Sequence, residues 1–260
     1  MELIDTHCHL TFEQLSWEID AVVQRSTAAG VTGWITVGTD SQENRKAVEL
    51  AGRFENMYAA VGVHPHEAKD FTAETIAELK ELAKSEKVLA VGEMGLDFHY
   101  NFSNQSDQRR AFAAQLKVAR ELHLPVIIHC REAFEDMMDI LEQFIGFEGR
   151  LRGVVFHCFS GTREQARIIL DHGFYISLTG VVTFKNADEI RRAAEIVPTD
   201  KLMLETDCPY MSPEPMRKRK INEPALMIHT ARHLAELKGM DPADFAEAVT
   251  ATSRGFFGLG

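Results

Sequence analysis

Apolar and polar positions along this chain fall into blocks of two kinds. One kind is a short continuous apolar run, and the other is a longer stretch with apolar residues three or four apart. The short runs read as buried strands and the longer stretches as helices. Met1 to Ile4 is the first strand, and Phe12 to Gly30 carries helical spacing that ends on Gly30 as a C-cap. Val31 to Gly38 is a strand, Ser41 to Phe54 a helix with Ser41 near its N-cap, and Tyr58 to Val63 a strand. Thr72 to Ser85 is a helix with acids early and Lys84 late, in line with the helix dipole. Val88 to Gly92 is a strand, Ser106 to Leu122 a long helix, Pro125 to Ile128 a strand, Ala133 to Phe144 a helix and Gly153 to Phe156 a strand. Thr162 to His172 is a helix stopped by Gly173, followed by a strand, Phe174 to Leu178, a helix, Ala187 to Ile196, and a strand, Leu202 to Leu204. Two helices, Pro224 to Leu237 and Pro242 to Phe257, complete the pattern.

Strands alternating with helices predict a parallel sheet with crossover helices. Eight such units in 260 residues fit an α/β fold of the (β/α)8 TIM-barrel type, as one domain over 1–260. An open doubly wound sheet is the competitor, but neither G-x-G-x-x-G nor G-x-x-x-x-G-K-[ST] follows a strand. A hydrophobic content of 45% is enough for a full core.

Polar residues of one chemical kind close the apolar runs. His7 and His9 lie two apart at the end of strand 1, so both imidazoles point the same way. His64 closes strand 3, Glu93 strand 4, His129 strand 5, His157 strand 6 and Asp207 strand 8. In a barrel these ends share the face where active sites sit. Imidazole and carboxylate together suit divalent metals, and the number of donors suggests two ions. His7, His9 and Asp207 would hold one, His129 and His157 the other, with Glu93 bridging. Asp207 is also the best candidate general base, unless it serves as a ligand alone. The ions expected are Mg, Mn or Zn, with no organic cofactor.

The formal net charge of −11 argues against a general nucleic-acid-coating protein but leaves room for a local basic patch. Arg217-Lys218-Arg219-Lys220 is such a patch, placed after strand 8. It reads as a phosphate-backbone contact, with a solvated loop as the plain alternative. Arg131 could fork onto a phosphate oxygen or pair with Glu132 or Glu135. His64 reads equally as a phosphate contact or as a turn residue before Pro65. Tyr100, Phe102, Phe159 and Tyr210 follow strand ends, where aromatics either stack on unpaired bases or pack loops together. Cys8, Cys130, Cys158 and Cys208 each adjoin a proposed ligand and read as buried thiols facing away from it, in a reducing compartment. No run approaches a membrane span and no leader pattern precedes the first strand, so a cytoplasmic location is expected.

The chain resembles the TatD-family metal-dependent deoxyribonucleases, within the amidohydrolase-like barrels. The motifs are Asp5-Thr6-His7-Cys8-His9-Leu10, Val61-Gly62-Val63-His64-Pro65-His66, Val91-Gly92-Glu93-Met94-Gly95-Leu96-Asp97 and His129-Cys130-Arg131-Glu132-Ala133. His157-Cys158-Phe159-Ser160-Gly161, Leu204-Glu205-Thr206-Asp207 with Pro209-Tyr210, and Asn222-Glu223-Pro224 follow in the same order. The resemblance implies hydrolysis of DNA phosphodiesters by a metal enzyme, often 3′→5′ on single strands and sometimes on RNA. The ligand roles above carry over. Some members lack the first histidine pair; its presence here favours a complete two-metal site. Cys208 and Ser212 replace common alanines at positions that are not ligands. An amidase or esterase of the same superfamily, acting for example on aminoacyl-tRNA, is the alternative chemistry. Glu93 weakens it, because many cyclic amidohydrolases carry a modified lysine at that strand. A non-enzymatic nucleic-acid scaffold fits least.

Overall fold

The computed structural model describes residues 2–259. Among them, eight strands stand in chain order in one sheet: β1 Leu3–Cys8, β2 Val31–Val37, β3 Met57–Val61, β4 Val88–Asp97, β5 Val126–Arg131, β6 Val154–Phe156, β7 Tyr175–Leu178 and β8 Leu202–Leu204. The helices are α1 Glu13–Ser16, α2 Ile19–Ala28, α3 Ser41–Ala51, α4 Ala73–Leu82, α5 Gln105–Leu122, α6 Phe134–Glu148, α7 Arg163–Asp171, α8 Asp188–Ile196, α9 Met227–Leu237 and α10 Pro242–Phe257. The fold is the (β/α)8 TIM barrel that the alternation predicts. Among the described residues no helix is long and apolar enough to cross a membrane.

Contacts group the chain into two compact units, one built from the residues up to Thr36 with those from Cys158 onward, the other from Val37–His157. In the first, β1 pairs in parallel with β2 and β7 with β8. β1 is tied to the β8 end where Thr6 Oγ1 donates to the Leu204 carbonyl at 2.9 Å. Leu3, Ile35, Phe245 and Phe257 are fully buried there. In the second, β3, β4, β5 and β6 pair in parallel in that order. Met94, Leu96, Phe112 and Leu116 form its deepest packing. Strands covered on both faces explain why they read as unbroken apolar runs.

Three local readings change. The helix expected over 12–30 is broken at Glu18, whose φ of −126° leaves the helical region. The break lets Leu15 and Ile19 both turn inward while Trp17 stays 74% exposed. Asp40, not Ser41, caps α3, its carboxylate accepting from the Gln42 and Glu43 amides at 2.7 and 2.9 Å. β4 runs five residues past its apolar stretch because Gly95, opposite His129, and Asp97, opposite Arg131, keep the parallel register with β5. Gly95 has φ +145°, and a Cβ there would lie 2.0 Å from the His129 carbonyl oxygen, so only glycine lets the two strands approach.

Candidate metal-binding sites

In the first unit, Asp5, His7 and His9 alternate along β1 and its end. His7 Nε2 and His9 Nε2 lie 3.3 Å apart. Asp207 Oδ1 stands 3.2 Å from His9 Nε2 and 3.7 Å from His7 Nε2. Two imidazole nitrogens and a carboxylate oxygen thus converge within 4.8 Å, a donor set that fits a divalent ion. Asp207 reaches this position in the left-handed region, φ 50°, with its amide donating to the His7 carbonyl at 2.9 Å. Aspartate is one of the few non-glycine residues that adopt this conformation readily, and here hydrogen bonds to the turn hold it there.

The turn is held at Thr206 by Asp5, a residue with no assigned role in the sequence. Its carboxylate accepts from the Thr206 amide at 3.0 Å and the Thr206 hydroxyl at 2.5 Å. Burial pushes the Asp5 carboxyl up to about 7 even though both Thr206 bonds favour the anion. Asn222 braces the same turn, donating from Nδ2 to the Thr206 carbonyl at 3.1 Å and from its amide to the Pro209 carbonyl at 2.9 Å. The His9 ring lies flat on Phe12, centroids 4.7 Å apart. Glu205 is a second buried acid beside the turn, accepting from the Cys158 amide and the Ser177 hydroxyl at 2.5 and 2.6 Å.

In the second unit the centre is Glu93 Oε1. It lies 2.7 Å from His157 Nε2, 2.8 Å from His129 Nδ1 and 3.4 Å from His64 Nε2. Burial alone would raise this carboxyl; the His157 and His64 rings and the His129 bond outweigh it and hold Glu93 well below the carboxylate range. The carboxylate is therefore ionised, with two imidazoles at bonding distance, which again suits a divalent ion.

The three rings differ in which nitrogen can serve. His129 donates from Nε2 to Asp97 Oδ2 at 3.1 Å, leaving Nδ1 turned to Glu93. This is the carboxylate–histidine arrangement that fixes a ligand's tautomer. Burial opposes protonation of His129, but the Asp97 and Glu93 bonds win and raise its pKa. His64 is set the other way. Its Nδ1 accepts from the His66 amide at 3.1 Å, so the neutral ring carries its proton on Nε2, facing Glu93. Burial pushes His64 down to about 4, which keeps the ring neutral. His64 is thus both the turn residue and a proton-bearing group aimed into the cluster.

Asp97 was also missed in sequence. Besides His129, its Oδ2 accepts from His66 Nε2 at 3.0 Å, and its Oδ1 accepts from the His99 and Tyr100 amides at 3.0 and 2.9 Å. Burial works against its charge, yet these bonds keep the carboxyl well below its ordinary range.

The proposed substrate contacts separate. Arg131 lies 4.7 Å over the Tyr100 ring, while Glu132 pairs with His99 at 2.7 Å. In the basic run, Arg217 lies 4.1 Å over Phe184, and Arg219 is drawn to the buried Glu223 at 3.0 Å, which Arg25 also grips at 2.6 Å. Lys218 and Lys220 are exposed, and among the described residues no ion pair engages them. Tyr100, Phe102 and Tyr210 are exposed, but Phe159 is only 8% exposed and packs its loop, so it presents no stacking surface. All four cysteines are free thiols. Cys8 donates to the Ile35 carbonyl at 3.3 Å, and burial pushes Cys130 up to about 12, leaving an unreactive thiol.

The chain is similar to known proteins along nearly its whole length. The family described as TatD related DNase matches residues 4–258. The uncharacterized metal-dependent hydrolase YabD of Bacillus subtilis is 40% identical over 256 residues, 98% of each chain. The 3′-5′ ssDNA/RNA exonuclease TatD of Escherichia coli K12 is 38% identical over 261 residues, 99% of each chain. The solved TatD homologue YJJV of Escherichia coli K12 superposes with a TM-score of 0.92 at 29% identity, covering 99% of this chain and 98% of its own. With the family's motifs running almost end to end and setting histidines and carboxylates at the strand ends, the chain belongs to the TatD-related DNase family.

Proposed function

We propose that the protein is a divalent-metal-dependent nuclease that shortens single-stranded DNA, and also RNA, from the 3′ end. The observation that carries this reading is the pair of imidazole–carboxylate donor sets, in a chain whose relatives include a 3′-5′ ssDNA/RNA exonuclease. We assign one ion to His7, His9 and Asp207 and a second to Glu93, His129 and His157, with Mg, Mn or Zn as the candidates. Such ions supply acidification of water and neutralisation of charge on the phosphoryl group.

The remaining work falls to the protein's own groups. The Asp207 carboxylate is also the base that receives the water proton, its orientation held by the turn and by Asp5. His64 Nε2–H donates to a phosphate oxygen; its low pKa keeps the ring from adding a positive charge to the cluster. Arg131 offers a guanidinium to the same backbone. Lys218 and Lys220 recruit the strand, with Arg217 and Arg219 anchoring their loop to Phe184 and Glu223. The free thiols fit a reducing compartment, and the cytoplasm is the proposed location.

Product mapping tests the reading. Chelator-stripped protein receives Mg, Mn or Zn singly and is incubated with a 5′-labelled single strand, with Asp207→Asn as control. A metal-dependent ladder shortening from the 3′ end, absent in the control, is expected. Protein that binds two ions yet cleaves with none of the three would overturn it.

The lysines make a separate prediction. Each contact with a single-stranded backbone contributes about 0.7 to the slope of log affinity against log salt. The double substitution Lys218→Ala, Lys220→Ala is expected to lower that slope by about 1.4 and to weaken binding at low salt. An unchanged slope would show that the loop is only solvated.

A further inference from the structure

We infer that Tyr100 and Phe102, with Arg131 behind them, form a stacking subsite for one unpaired nucleobase beside the Glu93–His129 cluster; this rests on the nuclease reading above. The segment after β4, Phe98-His99-Tyr100-Asn101-Phe102-Ser103, leaves two large rings in solvent, Tyr100 49% and Phe102 62% exposed. The rings are parallel within 3°, with centroids 5.5 Å apart, and the Arg131 guanidinium lies over Tyr100. The result is a stacked aromatic pair with a cation over one ring, the composition that binds a base and its phosphate together.

The loop that carries these rings is fastened from below. Asp97 accepts from the His99 and Tyr100 amides, and Asn101 Nδ2 donates to the Phe98 carbonyl at 2.9 Å. Ser103 Oγ donates to the His66 carbonyl at 2.6 Å, and buried Gln108 donates to the Ser103 carbonyl at 2.9 Å. The backbone is pinned by buried groups while the rings face outward. Phe159, by contrast, lies on another strand-end loop and is buried, so exposure here is not a general property of aromatics after a strand.

The surface is joined to the donor cluster by one side chain. His66 stands perpendicular to both rings, 5.6 Å from Tyr100 and 4.8 Å from Phe102. The same ring lies 4.2 Å from His64 and 6.3 Å from His129. A strand whose phosphate meets His64 has a base within reach of Phe102. A base paired in a duplex cannot offer its face, so this surface selects single strands while tolerating any base.

The test is binding, measured by anisotropy with the metal-loaded protein. The probes are a short oligodeoxyadenylate and the same strand with abasic residues at its 3′ end, both closed by phosphorothioate linkages that resist cleavage. The wild-type protein is expected to favour the base-containing strand about tenfold, within the range for stacking on one aromatic side chain. Phe102→Ala should lose that preference and Phe102→Trp should keep it. A preference undiminished in Phe102→Ala, or none in wild type, would overturn the subsite. Because no cleavage is read, the outcome is separate from product mapping: a protein that cleaves but shows no base preference loses this subsite alone.

Discussion

Glu93→Gln is expected to lower turnover at least about a hundredfold at saturating metal, with little change in the folded structure. The substitution keeps the shape of the side chain and removes its charge. Glu93 Oε1 is the one atom on which His157, His129 and His64 all converge, at 2.7, 2.8 and 3.4 Å. A neutral amide there either turns its oxygen to the rings as a weaker ligand or points an N–H at imidazole nitrogens that need a partner of the opposite kind. Neither restores a negative charge held well below its ordinary pKa. Turnover on a labelled single strand, with the unfolding midpoint measured alongside, decides the matter. Near-wild-type turnover at saturating metal would remove Glu93 from the reaction. A collapse of the midpoint instead would mark it as a residue of the fold.

What the sequence made visible follows from how the strands are buried. Parallel strands covered on both sides are continuous apolar runs, so the eightfold alternation could be read directly. Strand ends could not, because pairing outlasts apolar character: β4 continues through Glu93, Gly95 and Asp97, and β5 through His129 and Arg131. The alternation that singled out His7 and His9 also applies to Asp5, and it relates Glu93 to Asp97 and Glu205 to Asp207. Those acids stand in the motifs but carry no role legible in sequence, because a buried carboxylate makes sense only once its partner is known. Thr206 lies 201 residues from Asp5, and His129 lies 32 from Asp97. Within the basic run the local signal is ambiguous. Arg219 stands four residues before Glu223, the spacing of a pair, but Lys218 stands four after Glu214 and Lys220 three before Glu223, so spacing alone does not single out the cation that pairs. For the aromatics there was none. Phe159 and Phe102 both follow a strand end, and only the path of each loop buries one and exposes the other.

Asp97→Asn is expected to weaken metal binding at the His129 site by about ten- to a hundredfold, the usual cost of losing a carboxylate behind a ligating histidine. Asp97 touches no proposed ion, so its effect must pass through His129. As a carboxylate it can only accept, which fixes a His129 proton on Nε2 and makes Nδ1, the nitrogen turned to Glu93, the one that would give up its proton to an ion. An asparagine that turned its amide N–H to His129 would favour the opposite tautomer, with a proton on Nδ1 where the ion needs a lone pair. Flipped over, the same amide would point N–H groups at the His99 and Tyr100 amides and lose two bonds of 3.0 and 2.9 Å. Both orientations carry a cost, and the second also loosens the loop bearing Tyr100. Titration calorimetry of Mn into chelator-stripped protein, paired with turnover across metal concentration, separates the effects. Reduced affinity with turnover restored by excess metal fits a positioning residue, whereas affinity equal to wild type would show that His129 keeps its tautomer without Asp97. The carboxyl of Asp97 lies below its unfolded range, so the native state binds its proton more weakly than the unfolded chain. Its contribution to stability is present above about pH 4 and fades as pH falls towards the lower folded value. Stability of Asp97→Asn should therefore change less than wild type between about pH 5 and pH 3, and an identical acid profile would contradict the depressed carboxyl.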